Sequence, residues 1–214
     1  MIENFLTLEE CHAMANTIKK QSNVRKAKVK TKVLDSIVLP SVVEEIRKTT
    51  LHTLPDLFET LYAERFLLHQ KKIEDFFAMG LTHATPLQVL VYKKGDFYIK
   101  HADDSSELID KEGNTVGFTC VAPERKITIL LFGTSHTTQA TYNNNNNNNE
   151  LEEYTFEGGA LVFNYLHDEH QQPIVIYPKA GDMLVFLSNP FFSHEVKPVT
   201  SGYRMVLAQW YNAL

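Results

Sequence analysis

From Leu87 onward, eight short runs rich in Val, Ile, Leu and aromatic residues follow one another: LQVLVY from 87, FYIKHAD from 97, KITILLF from 126, GALVFNY from 159, PIVIY from 173, MLVFL from 183, SHEV from 193 and YRMVLAQWY from 203. Such residues fit a pleated, half-buried surface, and turn formers stand between the runs: Lys94-Gly95, Gly113-Asn114, Gly158-Gly159, Gly181-Asp182, Asn189-Pro190 and Ser201-Gly202. About eight strands in succession predict two antiparallel sheets packed face to face, a jelly roll or double-stranded β-helix.

Before Pro86 the apolar period is helical. Thr7 and Glu10 form a capping-box pattern that predicts a helix over 8–20, with Phe5 or Leu6 packed beneath it. Pro40, Ser41 and Glu44 predict a second helix. Pro55 opens a third, with Leu57, Phe58, Leu61, Tyr62 and Phe66 as its buried stripe and Gly80 as its stop. The chain therefore reads as α+β: one domain over 1–214, with 1–85 mainly helical support and 86–214 the jelly-roll core. A length of 214 residues is enough to bury such a core without staples.

Composition narrows the class. The 43% hydrophobic and 22% charged residues suit a globular chain, and the net charge of −5 speaks against nucleic acid as the default partner. Seven basic residues and no acidic one lie between 19 and 32. Lys26, Lys28, Lys30 and Lys32 would share one solvated face of a strand opposite Ala27, Val29 and Val33, a common guard for a sheet edge. The Asn run at 143–149 reads as an extruded loop. Two cysteines, Cys11 and Cys120, without CxxC spacing, predict neither a disulfide framework nor a thiolate metal site. With no secretory pattern at the N-terminus and no stretch apolar enough to span a bilayer, the expected compartment is the cytoplasm, with no membrane partner. The sequence leaves the oligomeric state open.

Chemistry concentrates in a few residues of the strand region. His101 and Asp103 close an apolar strand, and the two-residue period turns both to one side while sending Asp104 to the other. SHEVKPVTSGYR adds His194 on another strand and Arg204 on the last. Two imidazoles and one carboxylate on one face of a metal leave the opposite positions open, the arrangement of non-haem Fe(II) oxygenases.

With these residues the sequence resembles the Fe(II)- and 2-oxoglutarate-dependent oxygenases, within them the prolyl 4-hydroxylase-like group. The resemblance runs from about Leu87 to Tyr211 and rests on VYKKGDFYIKHAD, FEGGAL at 156–161, PKAGDMLVF at 178–186, and HEVKPVTSGYR followed by Trp210. It implies His101, Asp103 and His194 as iron ligands, Arg204 as the partner of the distal carboxylate of 2-oxoglutarate, and Tyr92 as a further hydrogen bond to it. It also implies Fe(II), 2-oxoglutarate and O2 as cofactors, with ascorbate as a candidate reductant. The implied reaction is hydroxylation of an unactivated C–H bond with decarboxylation of 2-oxoglutarate to succinate. A protein prolyl residue is the substrate that the subgroup suggests; a free amino acid or other small molecule is the alternative.

Two departures stand out: Val206 where relatives often have Ser or Thr, and Arg204 where prolyl hydroxylases proper often have Lys. Base demethylases of the same group carry a second arginine at the position of Trp210, which argues against that activity. A non-catalytic jelly-roll module binding metal or ligand is the reading from a different class. His167 and His170 in HDEH read as a polar link, and His12, His52, His69, His83 and His136 show no partner pattern. Gly158-Gly159 precedes a strand, so it is no phosphate cradle.

Overall fold

All eight expected strands form: β1 (Gln88–Tyr92), β2 (Phe97–His101), β3 (Ile127–Phe132), β4 (Leu161–His167), β5 (Pro173–Ile176), β6 (Met183–Leu187), β7 (His194–Val196) and β8 (Arg204–Ala213). The computed structural model describes residues 1–22, 24–27, 29–32, 38–41, 45–112, 114–139 and 154–214. Apart from the β4-β5 hairpin, which stays within one sheet, successive strands alternate between two antiparallel sheets. The major sheet runs β1-β8-β3-β6, extended beyond β1 by Thr50–His52 and Arg25–Lys26, while Leu81–Ala84 pairs with β8. The minor sheet runs β5-β4-β7-β2 and ends on Arg47–Lys48. This interleaving is the double-stranded β-helix, so the α+β jelly-roll expectation holds.

Strand texture follows from what covers each face. The inner face of the major sheet supplies Leu90, Tyr92, Leu130, Val206 and Ala208 to a core shared with Leu161, Phe163 and Val196 of the minor sheet. The outer face supplies Val89, Val91, Ile129, Met205 and Leu207 to a second core closed by helices. Covered on both sides, β3 is buried at every residue and reads as an apolar run broken only by Thr128, whereas β5 at the edge alternates exposed and half-buried.

Helix α1 (Leu8–Lys19) carries the expected capping box. The Glu10 amide donates to Thr7 Oγ1 at 3.1 Å and the Thr7 amide to Glu10 Oε2 at 2.8 Å, with Phe5 and Leu6 buried beneath. Helix α2 (Asp56–Phe77) buries Tyr62, Phe66 and Ile73. Leu57, expected in that stripe, is 73% exposed: it sits one residue, about 100° of helix, from half-buried Phe58. The helix stops in the left-handed Ala78 and not at Gly80, which instead exchanges backbone hydrogen bonds with Leu214. Among the described residues no helix is long and apolar enough to cross a membrane.

Two expectations fail in the N-terminal part. Pro40 and Ser41 begin no helix: Val38–Ser41 is a strand paired antiparallel with Val29–Lys32, and Glu44 lies outside the described residues. Val38 and Leu39 favour the strand, and a two-stranded ribbon has free edges where a residue without an N–H is tolerated. The lysine row likewise spans two elements. Lys26 pairs with Thr50 in the major sheet, whereas Lys30 and Lys32 belong to the separate ribbon; Lys28 and Val33 lie outside the described residues. The Asn run at 143–149 also lies outside them.

Candidate metal and cosubstrate site

Strands β2 and β7 are neighbours in the minor sheet, and their register sets His101 directly opposite His194. Asp103, two residues beyond His101, reaches the same side. His101 Nε2 lies 3.8 Å from Asp103 Oδ1 and His194 Nε2 lies 3.9 Å from Asp103 Oδ2. One ligating atom from each residue falls within 4.8 Å of the others, the one such trio found among the described residues. Each Nδ1 is 2.9 Å from a backbone carbonyl two residues earlier, Ile99 for His101 and Phe192 for His194. A carbonyl only accepts, so Nδ1 carries the proton and the Nε2 lone pair faces the carboxylate, as a metal requires.

Burial, then repulsion from His194, pushes the His101 pKa down to about 3 against the pull of Asp103, which keeps the ring neutral. Burial alone would raise the Asp103 carboxyl, but His194, His101 and a hydrogen bond from Thr128 hold it below its ordinary value. The trio thus presents the Nε2 atoms of two imidazoles and one carboxylate. Tyr98 stacks on His101 at 3.5 Å between ring centroids, while Phe163 and Phe186 flank His194 at 5.9 and 5.1 Å.

Asp103 is held from behind by residues that the sequence reading did not single out. Thr128 Oγ1 on β3 donates to Oδ2 at 2.7 Å and lies 2.8 Å from Ser188 Oγ; Arg125 Nη1 donates to the Asp103 carbonyl at 3.1 Å. Thr128 is the one polar residue of β3, ITILLF, and that oddity was the available signal. Asp104 accepts from the Ser105 hydroxyl at 2.6 Å and has no place in the trio. Replacing Thr128 with Val removes the donor at nearly constant volume. Iron affinity is expected to fall about 10- to 100-fold, the usual effect of losing an outer partner, with a cooperative melting transition retained; metal titration checks the first and calorimetry the second.

On the major sheet, register sets Arg204 opposite Tyr92. Arg204 is 1% exposed, and its Nε donates to the Gly159 carbonyl at 2.9 Å. The guanidinium lies 4.9 Å from the Tyr92 ring centroid and 5.9 Å from that of Phe156. Gly159 has φ +59°, and a Cβ there would fall 3.0 Å from Arg204 Cδ and 2.9 Å from Val199 Cγ2, which accounts for the second glycine of FEGGAL. Arg204 Nη1 is buried without a hydrogen-bond partner, and no ion pair joins this arginine to a carboxylate among the described residues. A buried cation left in that state calls for an anion from outside the chain.

His101, Asp103, His194, Arg204 and Tyr92 all line one cavity of about 280 Å³, and Trp210 closes a side of it. Arg125 lies 4.1 Å over the Trp210 ring, and Arg47 lies 4.6 Å over that of Tyr98. Val206 also lines the cavity, so the wall is apolar where relatives often offer a hydroxyl. A divalent metal at the trio and an acid at Arg204 both fit the donor set: lone pairs and a carboxylate at one end, an unsatisfied guanidinium N–H at the other. Of the remaining histidines, His167 ends β4 and His170 sits exposed in a turn closed by Asp168 Oδ1, which accepts from the His170 and Gln172 amides.

Comparison with known proteins agrees with this geometry. The chain resembles a Pseudomonas putida prolyl-4-hydroxylase, with a TM-score of 0.60 at 19% identity over 98% of this chain and 89% of the other. It also resembles a viral collagen prolyl hydroxylase from Paramecium Bursaria Chlorella virus-1, solved as a 2OG complex, with a TM-score of 0.58 at 17% identity over 100% of this chain and 94% of that one. A third similar structure is a Trichoplax adhaerens prolyl hydroxylase bound to a hypoxia-inducible-factor peptide fragment, with a TM-score of 0.59 at 17% identity over 99% and 81%. No curated protein sequence matches. A family model of the 2OG-Fe(II) oxygenase superfamily matches residues 87–212, more than half of the sequence and a span that includes the trio and Arg204, and the chain therefore belongs to that superfamily.

Proposed function

We propose that the chain is a hydroxylase in which His101, Asp103 and His194 hold Fe(II), Arg204 pairs with the distal carboxylate of 2-oxoglutarate, and Tyr92 adds a hydrogen bond to it. The observation that carries this reading is the opposition of two incomplete binding sets in one cavity: the ligand trio at one end and the unpartnered Nη1 of a buried arginine at the other. Bound together, Fe(II) and 2-oxoglutarate supply the oxidising chemistry for an unactivated C–H bond that no side chain can, with O2 as co-oxidant and succinate as the product from the cosubstrate. The chain's part is position and dryness. Register fixes His101 against His194, backbone carbonyls fix both ring tautomers, Thr128 and Arg125 fix Asp103, and Gly159 aims the guanidinium.

The substrate we favour is a peptidyl proline. Tyr98 and Trp210 line the cavity, surfaces suited to a saturated ring, and three structural neighbours carry the name prolyl hydroxylase. Ascorbate is the expected reductant. The cytoplasm is the compartment we favour, since both cysteines are free and Cys120 is exposed, a state that reducing surroundings preserve.

Incubating the chain with Fe(II), 2-oxoglutarate, ascorbate and a panel of proline-containing peptides tests the reading. The expected result is succinate release matched by peptides heavier by one oxygen atom. Oxidation of free amino acids with no change in any peptide would move the substrate to small molecules. A folded, iron-loaded chain that neither binds nor consumes 2-oxoglutarate would overturn the reading and favour the non-catalytic module.

A further inference from the structure

A second cavity, of about 290 Å³, lies on the opposite face of β8, between α2 and the outer side of the major sheet. Along β8 the side chains alternate: Arg204, Val206, Ala208 and Trp210 face the metal-side cavity, whereas Gln209 and Tyr211 face this one. The two cavities are therefore separated by a sheet, and nothing derived for the first accounts for the second.

Its lining combines apolar rings with polar atoms that lack partners. Phe66 on α2 stacks against Tyr211 at 4.9 Å between centroids, and Tyr62 stacks on Phe66 at 6.0 Å. The Tyr62 hydroxyl, on a residue only 5% exposed, has no hydrogen-bond partner, nor has Gln209 Oε1. The Gln209 amide is not free to turn: its Nε2 donates to the Thr85 carbonyl at 2.9 Å, which fixes the oxygen as the unsatisfied end. Burial holds the Tyr62 pKa well above its ordinary value, so the hydroxyl remains a neutral donor. A buried donor or acceptor left unpaired is costly, and two on residues that line one cavity form a demand that a ligand would meet.

Charge and size narrow the ligand. Glu59 is the one charged residue among those that line the cavity, so an anion is disfavoured. A cavity of roughly 150 Å³ accepts benzene, and this one has room for a ring bearing a polar substituent. We propose that this is a second binding site, for a small uncharged aromatic molecule carrying an amide or an equivalent donor–acceptor pair. Its N–H meets Gln209 Oε1, its acceptor takes the Tyr62 hydroxyl, and its ring lies against Phe66 and Tyr211.

Benzamide, titrated against the full-length chain and followed by saturation-transfer NMR, tests the site. Saturable binding with a Kd on the order of a millimolar is expected for so small a molecule. Tyr62→Phe and Gln209→Leu are each expected to weaken it about tenfold. Thr82→Trp, on an exposed rim residue outside the core, should block the mouth and abolish binding while the melting temperature holds. Benzoate, the same ring with a negative charge, should fail to bind. Absence of saturable benzamide binding, equal binding in all three variants, or benzoate binding as well as benzamide would each overturn the proposal.

Discussion

Asp103→Asn is expected to reduce 2-oxoglutarate turnover to background while the metal-free protein keeps its fold. The amide has the shape of the carboxyl group and still accepts from Thr128, so the packing around it is preserved. What it lacks is the charge that would balance a divalent cation beside two imidazoles. Loss of an outer-shell partner costs 10- to 100-fold in metal affinity, and loss of the only charged ligand should exceed the upper end of that range. Titrating Fe(II) into both proteins, with circular dichroism as the check on folding, measures this. Iron affinity within tenfold of wild type in a folded Asp103→Asn chain would contradict it.

Arg204→Met is expected to separate stability from ligand binding. In the ligand-free chain the guanidinium is buried with one N–H bonded to Gly159 and Nη1 unsatisfied, a costly state. Replacing a buried charge with an apolar side chain of similar length is commonly neutral or stabilising. The melting temperature without 2-oxoglutarate should therefore hold or rise. Affinity for 2-oxoglutarate should fall by about 2–5 kcal/mol, roughly 30-fold to several thousand-fold, because its distal carboxylate is then buried without a counter-charge. Thermal shifts with and without 2-oxoglutarate, in the presence of a redox-silent divalent metal, give both quantities. An Arg204→Met chain that melts far below wild type, or that 2-oxoglutarate protects equally, would contradict this account.

The jelly roll was legible because its strands are sandwiched or edge-exposed in ways that leave opposite marks on composition. The near-continuous apolar run of ITILLF marks a strand covered on both faces, and the alternation in PIVI marks an edge. Short elements left no such mark. Arg47–Lys48 and Thr50–His52 are defined by their neighbours, not by their own periodicity. The hairpin Ser105–Ile109 with Thr115–Cys120 opens on Ser-Ser and shifts register between Thr115 and Gly117, which obscures the two-residue period. Pro40 shows the cost of local reading: a residue common at helix starts also tolerates the free edge of a ribbon.

In the site, His101 and Asp103 were legible through strand parity, a purely local rule. That His194 faces His101, and Arg204 faces Tyr92, depends on register between strands far apart in sequence. Only the resemblance to a family linked them beforehand. The contacts of Arg125 with Trp210 and of Thr128 with Asp103 join segments far apart in the chain, and no spacing announces them.

The most direct test of the central claim is an anaerobic titration of Fe(II) and 2-oxoglutarate followed by visible absorption. One iron per chain should produce a weak charge-transfer band that requires both additions, and the band should be lost in Asp103→Asn and in Arg204→Met. A folded chain that gives no band with both additions present, or one whose band survives undiminished in those two variants, would contradict a single cavity shared by the ligand trio and the buried arginine.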